Sequence, residues 1–272
     1  MSQAVIETAF AKLNLALHVR RRREDGYHEL ETLFVFLNDG DRLTFADAKA
    51  DRLAVSGEFA WDLSGTGENI VEQALARLPH TPGWSVALDK RLPVAAGLGG
   101  GSADAAAVFR MVGKRHGLPD NWHEIAAKLG ADVPACVESL ATIGRGTGTE
   151  LDAVSNDLFG THTLLVNPRI PLSTGPVFAA WDGQDRGPLP EGSASDIAFA
   201  GRNDLEAPAI AQCPVIAQVL DELRNSNPLL ARMSGSGATC FALYAREDAM
   251  LNAQARIQRS HPHWWTITGR LR

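Results

Sequence analysis

The chain has 272 residues, of which 45% are hydrophobic and 21% charged, and this composition excludes a largely disordered protein. A chain of this length buries about 70–75% of its unfolded surface, so it needs no disulfide or structural metal to fold. Lys and Arg number 26 against 32 Asp and Glu, which gives a net charge of −6. That charge argues against a surface that attracts nucleic acid or anionic membranes as a whole.

The cysteines and the N-terminal residues indicate in which cellular compartment the protein is expected. The three cysteines, Cys136, Cys213 and Cys240, are an odd number without a CxxC pair, so neither a disulfide framework nor a zinc site is expected. The first twenty residues lack the basic and apolar regions of a signal peptide. No run approaches the ~18 apolar residues of a membrane span. The sequence therefore predicts a cytoplasmic protein with no membrane partner.

The first half of the chain starts with strand patterns and then turns helical. Apolar runs predict strands over 13–19, 30–37 and 42–47, with a hairpin turn at Asp39-Gly40. Apolar residues spaced 3.6 apart predict a helix that follows Asn69 and stops at Pro79. A strand is expected over 84–89, and further helices are expected from Ser102 to Gly117 and over 122–129.

A shift to Pro, Gly, Ser and Asp over 155–200 predicts a domain boundary near residue 158, with domains 1–158 and 159–272. Beyond it, strands are expected over 162–168, 239–244 and 264–268, and helices after Pro214 and over 247–259. Strands and helices are mixed, so the residues alone leave the class open between α+β and α/β.

A glycine-rich loop carries the clearest chemical signal. Residues 92–107, LPVAAGLGGGSADAAA, bring four glycines directly before Ser102, the expected N-cap of a helix. Glycine lets backbone approach an anion closely, and a helix N-terminus offers unpaired N–H groups and partial positive charge. The pattern favours a phosphate site over a simple tight turn. Neither the Walker loop nor the dinucleotide fingerprint matches it, since the required Lys and third Gly are missing.

Three weaker signals accompany this loop. Asp132 follows a helix-terminating glycine in GADVP (130–134), where a helix cap is the simpler interpretation. Lys12 stands among apolar neighbours in AKLNL (11–15), as either an edge charge or a functional cation. MSGSGAT (233–239) is by itself no more than a turn before a strand.

In this order, these segments resemble those of the GHMP small-molecule kinases, and the resemblance spans nearly the whole chain. DGYHEL (25–30) and GRNDLE (201–206) are similar to a branch of that family that phosphorylates a cytidyl-linked polyol in the non-mevalonate route to isoprenoids. The resemblance implies an α+β fold with an N-terminal domain like domain 2 of ribosomal protein S5 and a ferredoxin-like C-terminal domain. It also implies ATP, with Mg²⁺ carried by it, a small-molecule substrate, and a monomer or weak homodimer.

The resemblance also implies roles for individual residues. Lys12 and Asp132 would be catalytic, and Asp132 would act on the substrate hydroxyl. The residues implied in substrate binding are Asn14, Tyr27, His28 and Phe178. The cytosine would stack between the rings of Tyr27 and Phe178, and His28 would hydrogen-bond its edge. The residues implied in ATP binding are Pro93, Val94, Ala95, Ala96, Gly97, Leu98, Gly99, Gly100, Gly101, Ser102 and Ala103 in the loop, with Asn69 and Lys90 near the base. No metal ligand from the protein is implied.

Two departures and two alternatives stay open. Phe10 stands where the family often has proline, and 180–200 matches no family pattern. The first alternative is a GHMP-type kinase acting on mevalonate, homoserine or a sugar. The second is an RNA-binding module built on the S5-like fold and the run Arg20–Arg23, although the net charge and a solvated hairpin tip argue against it.

Overall fold

A computed structural model describes residues 4–63, 69–80 and 83–272. Within these ranges the chain forms two compact units. The first comprises the described parts of Met1–Ala11, Asp39–Val94 and Gly99–Ser139, and the second comprises Lys12–Asn38, Ala95–Leu98 and Leu140–Arg272. Two long strands, β1 (Val5–Arg22) and β2 (His28–Asp47), each contribute one part to each unit.

The first unit combines strand pairing with a cluster of helices. The end of β2, over 42–47, pairs antiparallel with β4 (Trp84–Asp89), and β4 pairs parallel with β3 (Arg52–Ser56). A 3-10 turn over Trp61–Leu63 follows β3. The helices of this unit are α1 (Ile70–Arg77), α2 (Gly100–His116), α3 (Trp122–Leu129) and α4 (Val133–Glu138). The long helix α2 contacts the other three, and its buried alanines allow that close approach.

The second unit contains an antiparallel sheet with helices packed on it. Its strands are β7 (His162–Asn167), β8 (Leu230–Met233), β9 (Cys240–Tyr244) and β10 (Trp265–Arg270), in the order β10-β7-β9-β8. The helices are α5 (Thr174–Ala179), α6 (Ala194–Ala200), α7 (Glu206–Gln212), α8 (Val215–Arg224) and α9 (Glu247–Ser260). Strands β5 (Thr142–Arg145) and β6 (Glu150–Ala153) form a hairpin beside residues 32–34 of β2.

The path β7-α8-β8-β9-α9-β10 is the ferredoxin-like arrangement. Apolar residues of α8 and α9, such as Ile216, Leu220 and Ile257, pack with Leu164 and Val166 of β7 in one buried cluster. Together with the mixed sheet of the first unit, this confirms the α+β class and the ferredoxin-like C-terminal region. The boundary at residue 158 stays a prediction.

Two local predictions are wrong. No hairpin forms at Asp39-Gly40, because β2 runs through it as one strand. A Cβ on Gly40 would lie 1.9 Å from the carbonyl oxygen of Ala9, so this glycine permits close strand approach and does not make a turn. Helix α2 begins at Gly100, and its N-cap is Gly99, three residues before the N-cap predicted at Ser102.

The three cysteines are buried. No helix in the described parts of the chain is both long and apolar enough to cross a membrane.

Candidate active site

The glycine loop has a backbone that ordinary residues rarely adopt. Ala95, Gly97 and Gly99 have φ of 51°, 77° and 60°, so the chain turns repeatedly through the left-handed region before α2 starts. A Cβ on Gly97 would lie 2.3 Å from the carbonyl oxygen of Ser234. Glycine is therefore required there. The loop ends at the first turn of a 17-residue helix, whose N–H groups have no partner within the helix.

The second glycine-rich segment supports the middle of this loop. Ser234 Oγ donates to the carbonyl oxygen of Gly97 at 2.9 Å, and the Thr239 N–H donates to that of Ala96 at 3.2 Å. Asn203 holds the segment in turn, since its Nδ2 donates to the carbonyl oxygens of Met233 and Gly235. MSGSGAT and GRNDLE therefore brace residues 95–98, which the isolated sequence pattern does not reveal.

Lys12 lies on β1 against the same part of the loop. Its backbone N–H donates to the carbonyl oxygen of Leu98 at 2.9 Å. The side chain is 4% exposed, and Nζ donates to Asn14 Oδ1 at 2.7 Å. Asn14 Nδ2 donates to Thr32 Oγ1, and the Lys12 ammonium lies 5.5 Å from the ring centre of Phe34. The buried cation is thus held within a polar network and is not an exposed edge charge.

Asp132 stands at the start of α4. It occupies the N-cap position with φ −83° and ψ −11°, yet its side chain makes no capping hydrogen bond. Asp132 therefore has the position of a helix cap, but its side chain does not cap α4.

An aromatic group forms where β2 begins. The rings of His28 and Phe178 lie 5.1 Å apart, and Trp181 meets His28 edge-on at 5.8 Å. Burial, followed by the nearby Arg22 guanidinium, lowers the pKa of His28, which keeps its imidazole neutral at pH 7. Tyr27 is 65% exposed. Trp181 lies three residues beyond Phe178, at the edge of the segment that matches no family pattern, and was not predicted from the sequence.

That segment is fastened to β1 and β2. Gly187 and Pro188 direct their carbonyl oxygens at His18 Nδ1, and the Leu189 N–H donates to Glu31 Oε2. Arg20 pairs with Asp185 as well as Glu31.

The other arginines of the Arg20–Arg23 run are engaged too. Arg21 pairs with Glu29, Arg23 pairs with Asp25, and Arg22 donates to two backbone carbonyl oxygens. All four arginines of the run therefore have acceptor partners within the described part of the chain.

Two residues expected near the adenine base have other partners. Asn69 caps α1, accepting from the Val71 N–H at 2.9 Å in a capping box with Glu72. Lys90 is 2% exposed, and its ammonium lies between the carboxylates of Asp41 and Asp104. The Lys90 charge is therefore held by two carboxylates, and the place of both residues near the base stays a prediction.

Family comparison agrees with this arrangement. The model of the GHMP kinases N terminal domain matches residues 68–139, and that of GHMP kinases C terminal matches 191–263. A 4-diphosphocytidyl-2-C-methyl-D-erythritol kinase of Novosphingobium aromaticivorans is 64% identical over 266 residues, which cover 98% of this chain and 92% of the relative. The chain belongs to the GHMP kinase family.

Other GHMP kinases extend the comparison. A relative of the same name from Erythrobacter litoralis is 56% identical, covering 98% of this chain and 99% of its own. The crystal structure of a 4-(cytidine 5'-diphospho)-2C-methyl-D-erythritol kinase superposes with a TM-score of 0.81 at 32% identity, covering 98% and 99% of the two chains. A homoserine kinase from Cytophaga hutchinsonii superposes at 0.71 with 14% identity, covering 99% and 95%; at that identity it shows the shared fold alone.

Proposed function

We propose that this GHMP kinase transfers the γ-phosphoryl group of ATP to the 2-hydroxyl of 4-diphosphocytidyl-2-C-methyl-D-erythritol. The similarity to relatives of that name over 98% of the chain supports the substrate. The observation that carries the chemistry is the hydrogen bond from the Lys12 N–H to Leu98 in the glycine loop. It supports the proposal because the residue that carries the buried ammonium is bonded, through its backbone, to a loop suited to phosphate.

Phosphoryl transfer requires positioning and neutralisation of spreading negative charge more than covalent chemistry. The loop from Pro93 to Ala103 would bind the ATP phosphates with its backbone N–H groups and the N-terminus of α2. Mg²⁺ bound with ATP would neutralise part of the phosphate charge. The loop offers N–H donors and few side-chain oxygens, so phosphates and water would hold that ion.

On the acceptor side, Asp132 would take the proton of the substrate hydroxyl while the hydroxyl oxygen bonds to the γ-phosphorus. The bond from that phosphorus to the ADP oxygen breaks, and ADP leaves. Lys12, held by Asn14, would stabilise the negative charge that develops on the attacking oxygen. Tyr27 and Phe178 would stack on the cytosine, and His28 would hydrogen-bond its edge. The chain would act as a monomer or weak homodimer in the cytoplasm, without a nucleic-acid partner.

The test is a coupled assay of ADP release with the cytidyl substrate beside mevalonate, homoserine and galactose as alternative alcohols. We expect turnover with the cytidyl substrate at least 100-fold above the others, since buried hydrogen-bonding groups left unpaired give about 10⁴-fold discrimination in favourable cases. Preferential turnover of another alcohol would favour the alternative within the family. A phosphorus NMR spectrum of the product identifies the phosphorylated hydroxyl.

A further inference from the structure

A buried ion network lies at the end of β4, and the mechanism above does not use it. Lys90 Nζ is 2.5 Å from Asp41 Oδ2 and 2.7 Å from Asp104 Oδ2. All three side chains are almost wholly buried. Burial alone would lower the pKa of Lys90, but the two carboxylates outweigh it and raise that pKa. The ammonium group therefore stays charged.

These side chains join the two ends of the glycine loop. Asp41 Oδ1 accepts from the N–H groups of Arg91 and Leu92, at 2.5 and 2.8 Å, directly before the loop starts at Pro93. Asp104 lies on α2, into which the loop runs. Lys90 connects the two carboxylates, so the entry and exit of the loop are tied through one ammonium group.

The ammonium group also lies directly against the first turn of α2. A Cβ on Gly100 would be 3.1 Å from Lys90 Nζ and 3.7 Å from Asp41 Oδ2. The spacing to Nζ is tighter than ordinary van der Waals contact. A shift of Lys90 would therefore bear on the backbone at Gly100, whose N–H would face the phosphates under the proposed function.

Stability does not explain why the network is built from charges. Asp104 Oδ1 is buried without a hydrogen-bond partner in the described part of the chain, which is unfavourable. Burial is the largest influence on Asp104 and raises its pKa to about 7, although Lys90 opposes the shift. Apolar residues often replace a buried ion network without loss of stability, but they do not fix geometry through directional bonds.

We propose that Lys90, Asp41 and Asp104 are positioning residues that hold the two ends of the glycine loop at the separation the ATP phosphates require. This inference rests on the proposed function, because it assumes that the loop binds ATP. None of the three side chains need touch ATP itself.

The test compares two substitutions at one position. Asp104→Asn keeps an acceptor for Lys90, whereas Asp104→Leu has a similar branched outline and accepts nothing. Binding of a non-hydrolysable ATP analogue is measured by calorimetry, with KM for each substrate, kcat and Tm measured alongside. We expect Asp104→Leu to weaken analogue binding on the order of tenfold, as misplacement by a fraction of an ångström can do, and Asp104→Asn to stay within threefold. KM for the cytidyl substrate should stay within twofold in both.

A matched control removes another buried ion pair from the same helix. Glu7 accepts from Arg110 and Lys114, farther along α2, so Glu7→Gln should lower Tm without changing analogue affinity. Should Asp104→Leu not fold, the triple variant Lys90→Met/Asp41→Asn/Asp104→Leu removes the whole ion network, so that no buried charge is left without its partner, and the asparagine at position 41 keeps an acceptor for the Arg91 and Leu92 N–H groups. That variant should show the same selective loss of ATP affinity.

The results distinguish a failure of this proposal from a failure of the proposed function. Unchanged analogue affinity in the folded variants that lack the ion pair would overturn the proposal. Equal losses of ATP and cytidyl affinity in proportion to the fall in Tm would also overturn it, because they would indicate a merely structural role. If the wild type binds the analogue but phosphorylates none of the alcohols, the proposed function fails while this comparison can still be made.

Discussion

Asp132 and Lys12 carry opposite charges, and we propose that both act on the acceptor hydroxyl. Asp132→Asn should preserve ATP affinity and lower kcat by ~10²–10⁴-fold, because an amide cannot take the proton. Steady-state kinetics with separate ATP and cytidyl titrations measure this. Turnover above about a third of wild type would remove Asp132 from the proton transfer, since the general-base contribution is far larger.

Lys12→Met provides the complementary measurement. Methionine fills a similar volume but leaves Asn14 Oδ1 without its 2.7 Å donor. We expect a strong loss of kcat, on the order of 10²-fold, from the missing charge at the developing oxyanion. If only the KM of the cytidyl substrate rises, Lys12 binds substrate and does not stabilise the transition state.

His28 is the residue proposed to distinguish cytosine from uracil. A neutral imidazole offers one donor and one acceptor, whereas a stacked ring accepts any base. His28→Ala should raise KM for the cytidyl substrate and reduce discrimination against the uridyl analogue, with KM for ATP unchanged. Phe178→Ala should weaken both pyrimidine substrates alike. An unchanged cytidyl KM in His28→Ala would contradict the assignment.

Candidate site residues could be selected from the sequence where the signal was contiguous, and their roles stay predictions. Lys12, His28 and the loop lie in short motifs, and the structure brings Phe178 against His28. The carboxylates that hold the Lys90 ammonium could not be predicted, because Asp41 and Asp104 lie 49 and 14 residues away in the chain. A lone sequence does not show such pairings, and it gave no signal for Trp181 either.

At the scale of elements, periodicity predicted helices and missed short segments. Helices α1, α3 and α8 start close to where the apolar spacing places them. The segment 182–190 has no period, because contacts from Arg20, Glu31 and His18 hold it in place. The turn predicted at Gly40 is wrong because a glycine that permits close strand approach cannot be distinguished from a turn glycine in a single sequence.

Gly97 and Gly101 of the glycine loop differ in the space that surrounds them. Gly97→Ala forces a Cβ to within 2.3 Å of the Ser234 carbonyl oxygen at a φ of 77°, and such strain costs roughly 1–3 kcal/mol. Thermal unfolding should show a lowered Tm together with weaker ATP binding. Gly101→Ala is the matched comparison, because among the residues that the structure describes its Cβ would meet only Ile70, at 3.7 Å, and alanine favours a helix. A fall in Tm for Gly101→Ala as large as for Gly97→Ala would contradict the clash argument.

At the scale of the whole molecule, the pH dependence of stability should depend on His18. This side chain is 1% exposed. Its Nδ1 faces the carbonyl oxygens of Gly187 and Pro188, and its Nε2 accepts from the Arg202 N–H. The donor N–H at Nε2 and the carbonyl acceptors at Nδ1 together specify one neutral tautomer. A second proton would oppose the Arg202 N–H, and burial, followed by the Arg202 charge, lowers the pKa of His18 below 6.5.

Because the pKa of His18 is lower in the folded than in the unfolded chain, the unfolded chain binds more protons below pH 6.5. The stabilisation by neutral His18 is therefore complete above that pH and declines as pH falls toward the folded pKa, at up to ~1.4 kcal/mol per pH unit for one proton. Urea unfolding between pH 8 and 5 should show His18→Gln less stable than wild type at pH 8 but with a shallower decline on acidification. The exposed His263→Gln should retain the wild-type slope. Identical slopes in His18→Gln and wild type would mean that other groups, among them His28, account for the acid sensitivity.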